Sequence, residues 1–238
     1  MSMKKSMEMF ELIFSTSVDE RVLEPYKPRL AAFVIDESDK SREFSKIIRS
    51  LAIKLGFKIV LIHPPKQDLS DILNILSPYV DSIEGLKEEE KYSRQILEIS
   101  ESHKVDFIAL TMPYPKVEEG VRGGTLEVLL KEHRFPLLIS NEPNEIKSYG
   151  VMIYPNPISE KLIRRSITLA SERLDILTPG ADDVWESYYE SLAEAIGERL
   201  ECHVIKFHDV GEIEHDLVVY ELKNVPAPMP LRKTFFVV

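Results

Sequence analysis

The chain has 238 residues, of which 44% are hydrophobic and 29% charged, with a formal net charge of −10. These proportions are typical of a soluble globular protein, and the acidic excess argues against a nucleic-acid partner or an anionic membrane surface. No apolar run approaches the roughly 20 residues that cross a bilayer, and a single cysteine, Cys202, excludes an intramolecular disulfide. We therefore expect a cytoplasmic protein with no membrane insertion.

The first 140 residues are predicted to form an arm and one unit of alternating strands and helices. Residues 1–28 match no repeating pattern and contain Pro25 and Pro28, so we expect an N-terminal arm packed on the unit that follows. Within residues 29–140, the predicted strands are 30–35, 57–62, 79–83, 105–110 and 137–140, and the predicted helices are 39–55, 69–76, 87–103 and 125–133. Such alternation predicts a parallel sheet covered by helices on both faces.

The pattern that opens the first unit returns later in the chain. Residues 29–65 and 149–180 both contain an apolar run, a short polar turn, a helix-period stretch and a second apolar run that ends near proline. An internal repeat of this kind predicts a second unit over 149–238, joined to the first by a linker at 141–148. The second unit is predicted to be degenerate, because three prolines before its last strand (234–238) exclude a helix there.

In an open parallel sheet, ligands bind beyond the carboxyl ends of the strands, where the strand order switches. That rule selects the turns at 36–41, 63–68 and 111–125. In the last turn, Gly123 and Gly124 would let the backbone approach a ligand, and Thr125 opens a helix whose N–H groups attract phosphate beside Arg122. The alternative is purely structural: Asp36 and Ser38 cap helix 39–55, and the glycines form a tight turn.

The same turns resemble those of the universal stress proteins, in a tandem two-unit form. Residues 35–38, Ile-Asp-Glu-Ser, resemble the V-D-x-S turn that ends strand one in this family, and residues 106–111 resemble its aspartate-led fourth strand. ATP-binding members carry G-x2-G-x9-G-[ST]. Gly124 and Thr125 are in register with the final Gly-[ST], but Thr111 and Tyr114 stand where the first two glycines would be.

The resemblance implies a fold, a ligand and a mode of association. The fold would be α/β, with two flavodoxin-like (adenine nucleotide alpha hydrolase-like) units, each holding a five-stranded parallel sheet flanked by helices. The units, or two subunits of a homodimer, would pair through the last strand. Unit 1 would bind ATP or another adenine nucleotide, with no metal beyond one accompanying the nucleotide. The implied binding residues are Asp36, Ser38, Thr111, Arg122, Gly123, Gly124 and Thr125. Unit 2 carries Asn156 in place of the aspartate and is expected not to bind.

The resemblance also implies a non-catalytic regulator or adaptor of the stress response. The alternative is an interaction or regulatory module that binds no nucleotide, related to domains appended to transporters. An enzyme is the weakest of the three hypotheses, because no base, nucleophile and metal-binding group come together in the sequence.

Residues 203–216 gather three histidines and several acids without matching a zinc motif. We interpret them as a surface turn with no metal. Cys202 is expected to be buried and unreactive.

Overall fold

The computed structural model describes residues 23–35, 40–111, 124–132, 134–154, 159–170, 172–180, 183–224 and 234–238. In the described part of the chain, ten strands form one continuous sheet. Helices flank this sheet, so the predicted α/β, flavodoxin-like fold class is confirmed.

The described residues of the first half form five strands and four helices in alternation. The strands are β1 (Leu30–Val34), β2 (Lys58–His63), β3 (Val80–Gly85), β4 (Phe107–Thr111) and β5 (Leu137–Ser140). The helices are α1 (Lys40–Leu55), α2 (Ser70–Leu76), α3 (Tyr92–His103) and α4 (Thr125–Glu132). Helix α1 ends where Gly56 adopts a positive φ of 77°, a conformation that glycine adopts without a steric penalty.

The second half also contributes five strands, but its described residues contain two helices. The strands are β6 (Tyr149–Met152), β7 (Arg173–Thr178), β8 (Glu201–Lys206), β9 (Leu217–Tyr220) and β10 (Thr234–Val237). The helices are α5 (Glu160–Leu169) and α6 (Asp183–Gly197). Short 3-10 turns, Val210–Glu212 and Leu222–Asn224, stand in the connections that lead to β9 and away from it.

The strand order is β3-β2-β1-β4-β5-β10-β9-β6-β7-β8. Neighbouring strands are parallel except β5 and β10, which pair antiparallel at the centre. Each half therefore has the same internal order, and the second is reversed across the centre. The pairing through the last strand, which the family resemblance implied, is thus present within one chain.

An approximate two-fold axis passes through the central strand pair. Leu138 lies directly opposite Phe236, while Leu137 faces Val237 and Ile139 faces Phe235. An antiparallel pair has its local two-fold axis perpendicular to the sheet, so matching helices of the two halves fall on the same face. The buried residues agree: helices α1, α2, α5 and α6 contribute to one hydrophobic cluster on one face.

The opposite face is covered unequally. Over the first half, α3 and α4 bury Ile96, Leu97 and Leu129 against it. Over the second half, the described cover includes Phe207 and Ile213, which belong to irregular segments rather than helices. One face of the sheet therefore carries helices from both halves, and the other carries described helices from the first half alone.

The described end of the arm, residues 23–28, contacts both halves of the sheet. The Tyr26 hydroxyl donates to Asp106 of the first half at 2.6 Å, and the Arg165 guanidinium of the second half lies 5.4 Å from the Tyr26 ring centre. Arg164 and Arg199 donate to the carbonyls of Glu24 and Leu23. This segment therefore packs across the junction, rather than on the first half alone.

The start of the first strand in each half is held by the same hydrogen-bonding device. The Asp106 carboxylate accepts from the backbone N–H groups of Arg29 and Leu30 at 2.6 and 3.1 Å. The Asp216 carboxylate accepts from those of Lys147 and Ser148 at 2.9 and 3.0 Å. Asp106 directly precedes β4 and Asp216 directly precedes β9, the fourth strand of each half. Each aspartate therefore ties the fourth strand of its half to the start of the first strand, β1 or β6.

Replacing Asp106 with alanine is expected to lower the free energy of unfolding by about 1–3 kcal/mol, because partly buried donors lose their acceptor. Urea denaturation would measure the change. Asp81, an exposed residue of edge strand β3, is the matched control, and its alanine variant should stay within about 0.5 kcal/mol of wild type. Equal losses in the two variants would contradict a specific role for the Asp106 carboxylate.

The predicted strands are all present, with ends shifted by a few residues. Helix α3 starts at Tyr92 rather than at 87, because Gln95 folds the preceding residues into a turn. Its side-chain amide accepts from the Lys87 N–H at 2.8 Å and donates to the Lys87 carbonyl at 3.0 Å. A side chain that bonds the backbone in this way competes with helix extension.

Candidate functional site

Two predicted binding turns begin side by side at one edge of the sheet. Strands β1 and β4 are parallel neighbours, with Val34 opposite Leu110. The chain leaves β1 at Ile35 and leaves β4 at Thr111, so the turns 36–41 and 111–125 start at adjacent carboxyl ends. The strand order switches between these two strands. Strands β2 and β3 lie beside β1 on one side, and strands β4 and β5 lie on its other side. A crevice at such a switch is the usual ligand position in an open α/β sheet.

The structure describes three of the seven predicted binding residues. Thr111 is the last residue of β4, Gly124 precedes α4, and Thr125 is its first residue. Asp36, Ser38, Arg122 and Gly123 lie outside the described residues.

Thr111 belongs to the sheet itself. It lies opposite Ser140 of β5 and is 3% exposed. The strand thus continues through the position at which ATP-binding universal stress proteins would have their first glycine.

Gly124 directly precedes the N-terminus of α4. None of the described residues places a heavy atom within 4 Å of a Cβ built on Gly124, and the Gly124 carbonyl accepts from the Val128 N–H at 3.2 Å. The first N–H groups of such a helix are the groups that attract an anion.

Sequence reasoning missed a polar contact beside this edge. Lys40, the first residue of α1, points its ammonium at the side-chain oxygen of Asn141, 3.5 Å away. Asn141 is fully buried and directly follows β5. The contact places a cation at the N-terminal end of α1, the helix that follows the Asp36 turn. The two residues are 101 positions apart, so no local pattern could have revealed it.

Strand register aligns the first strands of the two halves. The Ile35 N–H donates to the Ile62 carbonyl at 2.8 Å, and the Ile153 N–H donates to the Leu177 carbonyl at 2.9 Å. The residue after Ile35 is Asp36, and the residue after Ile153 is Tyr154. Counted from the preceding strand, Asp36 corresponds to Tyr154. Counted from the following helix, it corresponds to Asn156, since α1 begins at Lys40 and α5 at Glu160. Asp36 and Asn156 lie outside the described residues, so their match stays a prediction.

In the second half, two phenols, Tyr154 and Tyr220, lie at the carboxyl ends of β6 and β9. Burial raises the pKa of Tyr154. Tyr220, the last residue of β9, is fully buried. Burial is the main cause that raises its pKa, and electrostatic repulsion from the nearby Tyr154 side chain adds to it. A neutral phenol next to a buried phenol cannot supply the carboxylate acceptor that Asp36 would offer.

The histidine-rich segment 203–216 is not uniformly a surface turn. His215 is 11% exposed in its side chain, and its Nε2 lies 2.8 Å from the carboxylate of Asp175, which is 5% exposed. The Arg173 guanidinium donates to the same carboxylate at 2.9 and 3.1 Å. The surface interpretation is wrong for His215, because its partner lies in β7, 40 residues earlier. A feature of the sequence that could have indicated this buried contact is Asp175, a charged residue within the otherwise apolar run of β7.

No group of three or more His, Cys, Asp or Glu side chains in the described ranges could hold a metal ion. Among the helices that the structure describes, none has the length and apolar character needed to cross a bilayer. Cys202 is partly buried, and burial together with the charge of Asp175 raises the pKa of its thiol to about 12. The thiol is therefore protonated and a poor nucleophile at neutral pH.

Comparison with known proteins identifies the architecture. No protein-family model matches the chain, and no curated protein matches its sequence. Solved structures match well: a universal stress protein from Archaeoglobus fulgidus DSM 4304 aligns with a TM-score of 0.64 at 15% identity, over 90% of this chain and 97% of its own.

Two structures from Pseudomonas aeruginosa are similarly close. A functionally unknown protein of strain PAO1 aligns with a TM-score of 0.61 at 13% identity, over 89% of this chain and 92% of its own. A candidate universal stress protein of strain UCBPP-PA14 aligns with a TM-score of 0.57 at 12% identity, over 89% of this chain and 93% of its own. The chain thus has the fold of universal stress proteins across nearly its whole length.

Proposed function

We propose that this protein is a cytoplasmic, non-catalytic regulator or adaptor of the universal-stress-protein type, and that it binds an adenine nucleotide in its first half only. The observation that supports the proposal best is the adjacency of β1 and β4. It brings the turn that starts at Asp36 and the turn that ends at Thr125 to one edge of the sheet.

In the proposed complex, Asp36 accepts hydrogen bonds from the base or ribose. Arg122 and the N–H groups near Gly124 and Thr125 meet phosphate, since a helix N-terminus carries partial positive charge. Lys40 joins them from the N-terminus of α1. We expect no such site in the second half, because neither residue that could correspond to Asp36, Tyr154 or Asn156, carries a carboxylate.

Isothermal titration calorimetry with ATP, ADP, AMP and cyclic AMP tests the proposal. We expect one nucleotide per chain, and an Asp36→Ala variant should bind about tenfold or more weakly, since a lost charge-assisted hydrogen bond costs about 1.5–3 kcal/mol. Asn156→Ala is the matched control in the second half and should bind like wild type. No heat and no thermal shift at millimolar nucleotide would refute binding, and two sites per chain would refute the asymmetry.

The second candidate function is an interaction module that binds no nucleotide. The placement of Thr111 favours it, because this buried residue extends β4 through the position of the family's first glycine. A folded protein that is silent in the titration above would support this alternative.

We further propose that the protein is a monomer whose two halves pair as two subunits of a dimer would. The surface that would pair two subunits is used by β5 and β10 within one molecule. Light scattering after size exclusion should then give the mass of one chain, 27.4 kDa. A stable homodimer would require a different interface.

A further inference from the structure

A cavity lies at the junction of the two halves, along the side of α1. It has a volume of about 430 Å³ and is open to solvent. We call it the junction groove and define it by Ile47, Ser50, Leu51 and Lys54 of α1, Ile146 of the linker and Tyr149 of β6. Its size falls within the range of roughly 300–1,000 Å³ of small-molecule pockets.

The inner wall of the junction groove is apolar. Ile47 and Leu51 are 8% and 4% exposed, and Tyr149 is 9% exposed. Ile146 packs against the same hydrophobic cluster from the linker side. A wall of this kind suits the apolar body of a small organic molecule, which would leave water on contact with it.

Lys54 places a positive charge at this wall. Much of the residue is exposed, but its ammonium lies 4.9 Å from the centre of the Tyr149 ring and donates to the Leu169 carbonyl at the end of α5. Burial of this end lowers the pKa of Lys54 to about 8. The ammonium is therefore less well solvated than in water and would gain from a nearby anion.

The acidic residues of the groove are already paired with other lysines. Glu43 binds Lys46 at 2.7 Å, one turn along α1, and Glu145 binds Lys147 at 3.0 Å on the linker. The Lys54 ammonium, by contrast, lies against the apolar wall and is partly removed from water. This partial desolvation favours an anionic group on a ligand over a cationic one at the wall.

We propose that the junction groove is a binding site for a small amphipathic carboxylate. The apolar body would lie on Ile47, Leu51 and Ile146, and the carboxylate would meet the Lys54 ammonium. Such a ligand would touch α1 of the first half together with the linker and β6, and so would bridge the two halves. The site is separate from the crevice at the carboxyl ends of β1 and β4.

The arrangement gives the site a distinctive pH dependence. An amine carries its charge below its pKa, so carboxylate affinity should be greatest below about pH 8 and fall as pH rises through that value. An anion beside Lys54 would raise its pKa towards the usual value near 10.4, so binding between these values should take up protons. The other titratable groups at the groove are Glu43 and Lys46 on α1, Glu145 on the linker and the Tyr149 phenol on β6.

Titration calorimetry of the full chain with benzoate and indole-3-acetate, each against its neutral amide, tests the proposal. We expect each acid to bind about tenfold or more tightly than its amide at neutral pH, which corresponds to about 1.4 kcal/mol. At about pH 8.5, buffers with different ionisation enthalpies should reveal proton uptake with the acids and none with the amides.

Two variants, each with a matched control, separate the ligand site from the fold. Lys54→Gln should abolish the preference for the acid and the proton uptake, whereas Lys46→Gln should keep both. Ser50→Trp should block the groove without touching Lys54, while Arg49→Trp, on the same helix but outside the groove, should bind like wild type. Equal binding of acid and amide, uptake that persists in Lys54→Gln, or no binding of either acid at millimolar concentration would overturn the proposal.

Discussion

Replacing Phe236 with alanine should lower the free energy of unfolding by about 3–5 kcal/mol, the usual cost of removing a buried phenylalanine side chain. Phe236 is 4% exposed, belongs to β10 and lies on the approximate two-fold axis opposite Leu138. Its ring packs edge-on against Phe107 with centres 5.7 Å apart, and Phe107 packs against Phe57 at 5.3 Å. The side chain therefore joins the second half to the aromatic core of the first.

Urea denaturation followed by circular dichroism would measure this loss and also test the division into two units. Because the helices α1, α2, α5 and α6 share one hydrophobic cluster, we expect a single transition that shifts as a whole in Phe236→Ala. Ile53→Ala is the matched control, since Ile53 is 57% exposed, and should change stability by less than about 0.5 kcal/mol. Two separate transitions, with the first half unaffected, would show that the halves fold independently.

Replacing Asp175 with alanine should cost about 2–4 kcal/mol, because the change leaves buried polar atoms without partners. The Asp175 carboxylate lies 2.8 Å from His215 Nε2, and no described residue forms a hydrogen bond with the buried His215 Nδ1. The ring cannot easily move towards water, since it lies over Gly150, where an added Cβ would be 3.3 Å from His215 Cγ. In the variant, the imidazole would stay buried with both nitrogens unsatisfied.

The comparison for Asp175 is Asp71, a carboxylate in an exposed pair. Asp71 lies 3.5 Å from Arg42, and the two side chains are 64% and 59% exposed. Asp71→Ala should therefore cost less than about 1 kcal/mol, and Asp175→Asn, which keeps an acceptor for His215, should fall between the two alanine variants. Similar losses in Asp71→Ala and Asp175→Ala would show that the buried pair contributes no more than a surface pair.

Much of the fold could be predicted because its elements carry local signals. Strands β1, β2 and β4 are buried on both faces, so the sequence shows each as an unbroken apolar run. Edge strand β3 has a weaker signal, because only alternate residues are partly buried, and the predicted strand 79–83 stops two residues before its end at Gly85. The adjacency of β1 and β4 was not predicted from the residues, although it agrees with the flavodoxin-like fold that the family resemblance implied.

The features that could not be predicted are contacts between distant residues. Asp175 and His215 find each other only through the order of β7, β6 and β9, and Lys40 meets Asn141 only once β5 lies beside β4. The equivalence of Asn156 and Asp36 stays a prediction for a related reason. Polar turns that differ in length can be aligned from the strand before them or from the helix after them, and the two alignments differ here by two residues.

The axis through Leu138 and Phe236 has a consequence for how the two halves could diverge. In a dimer of identical chains, the residue on the axis meets its own copy, and every substitution appears on both sides at once. Here leucine faces phenylalanine, a pair that such a dimer could not form. A change in one half is not copied into the other, so each half is free to vary at the junction and at its own crevice. Joining the halves in one chain also fixes their ratio, so neither can exchange its partner for an identical copy.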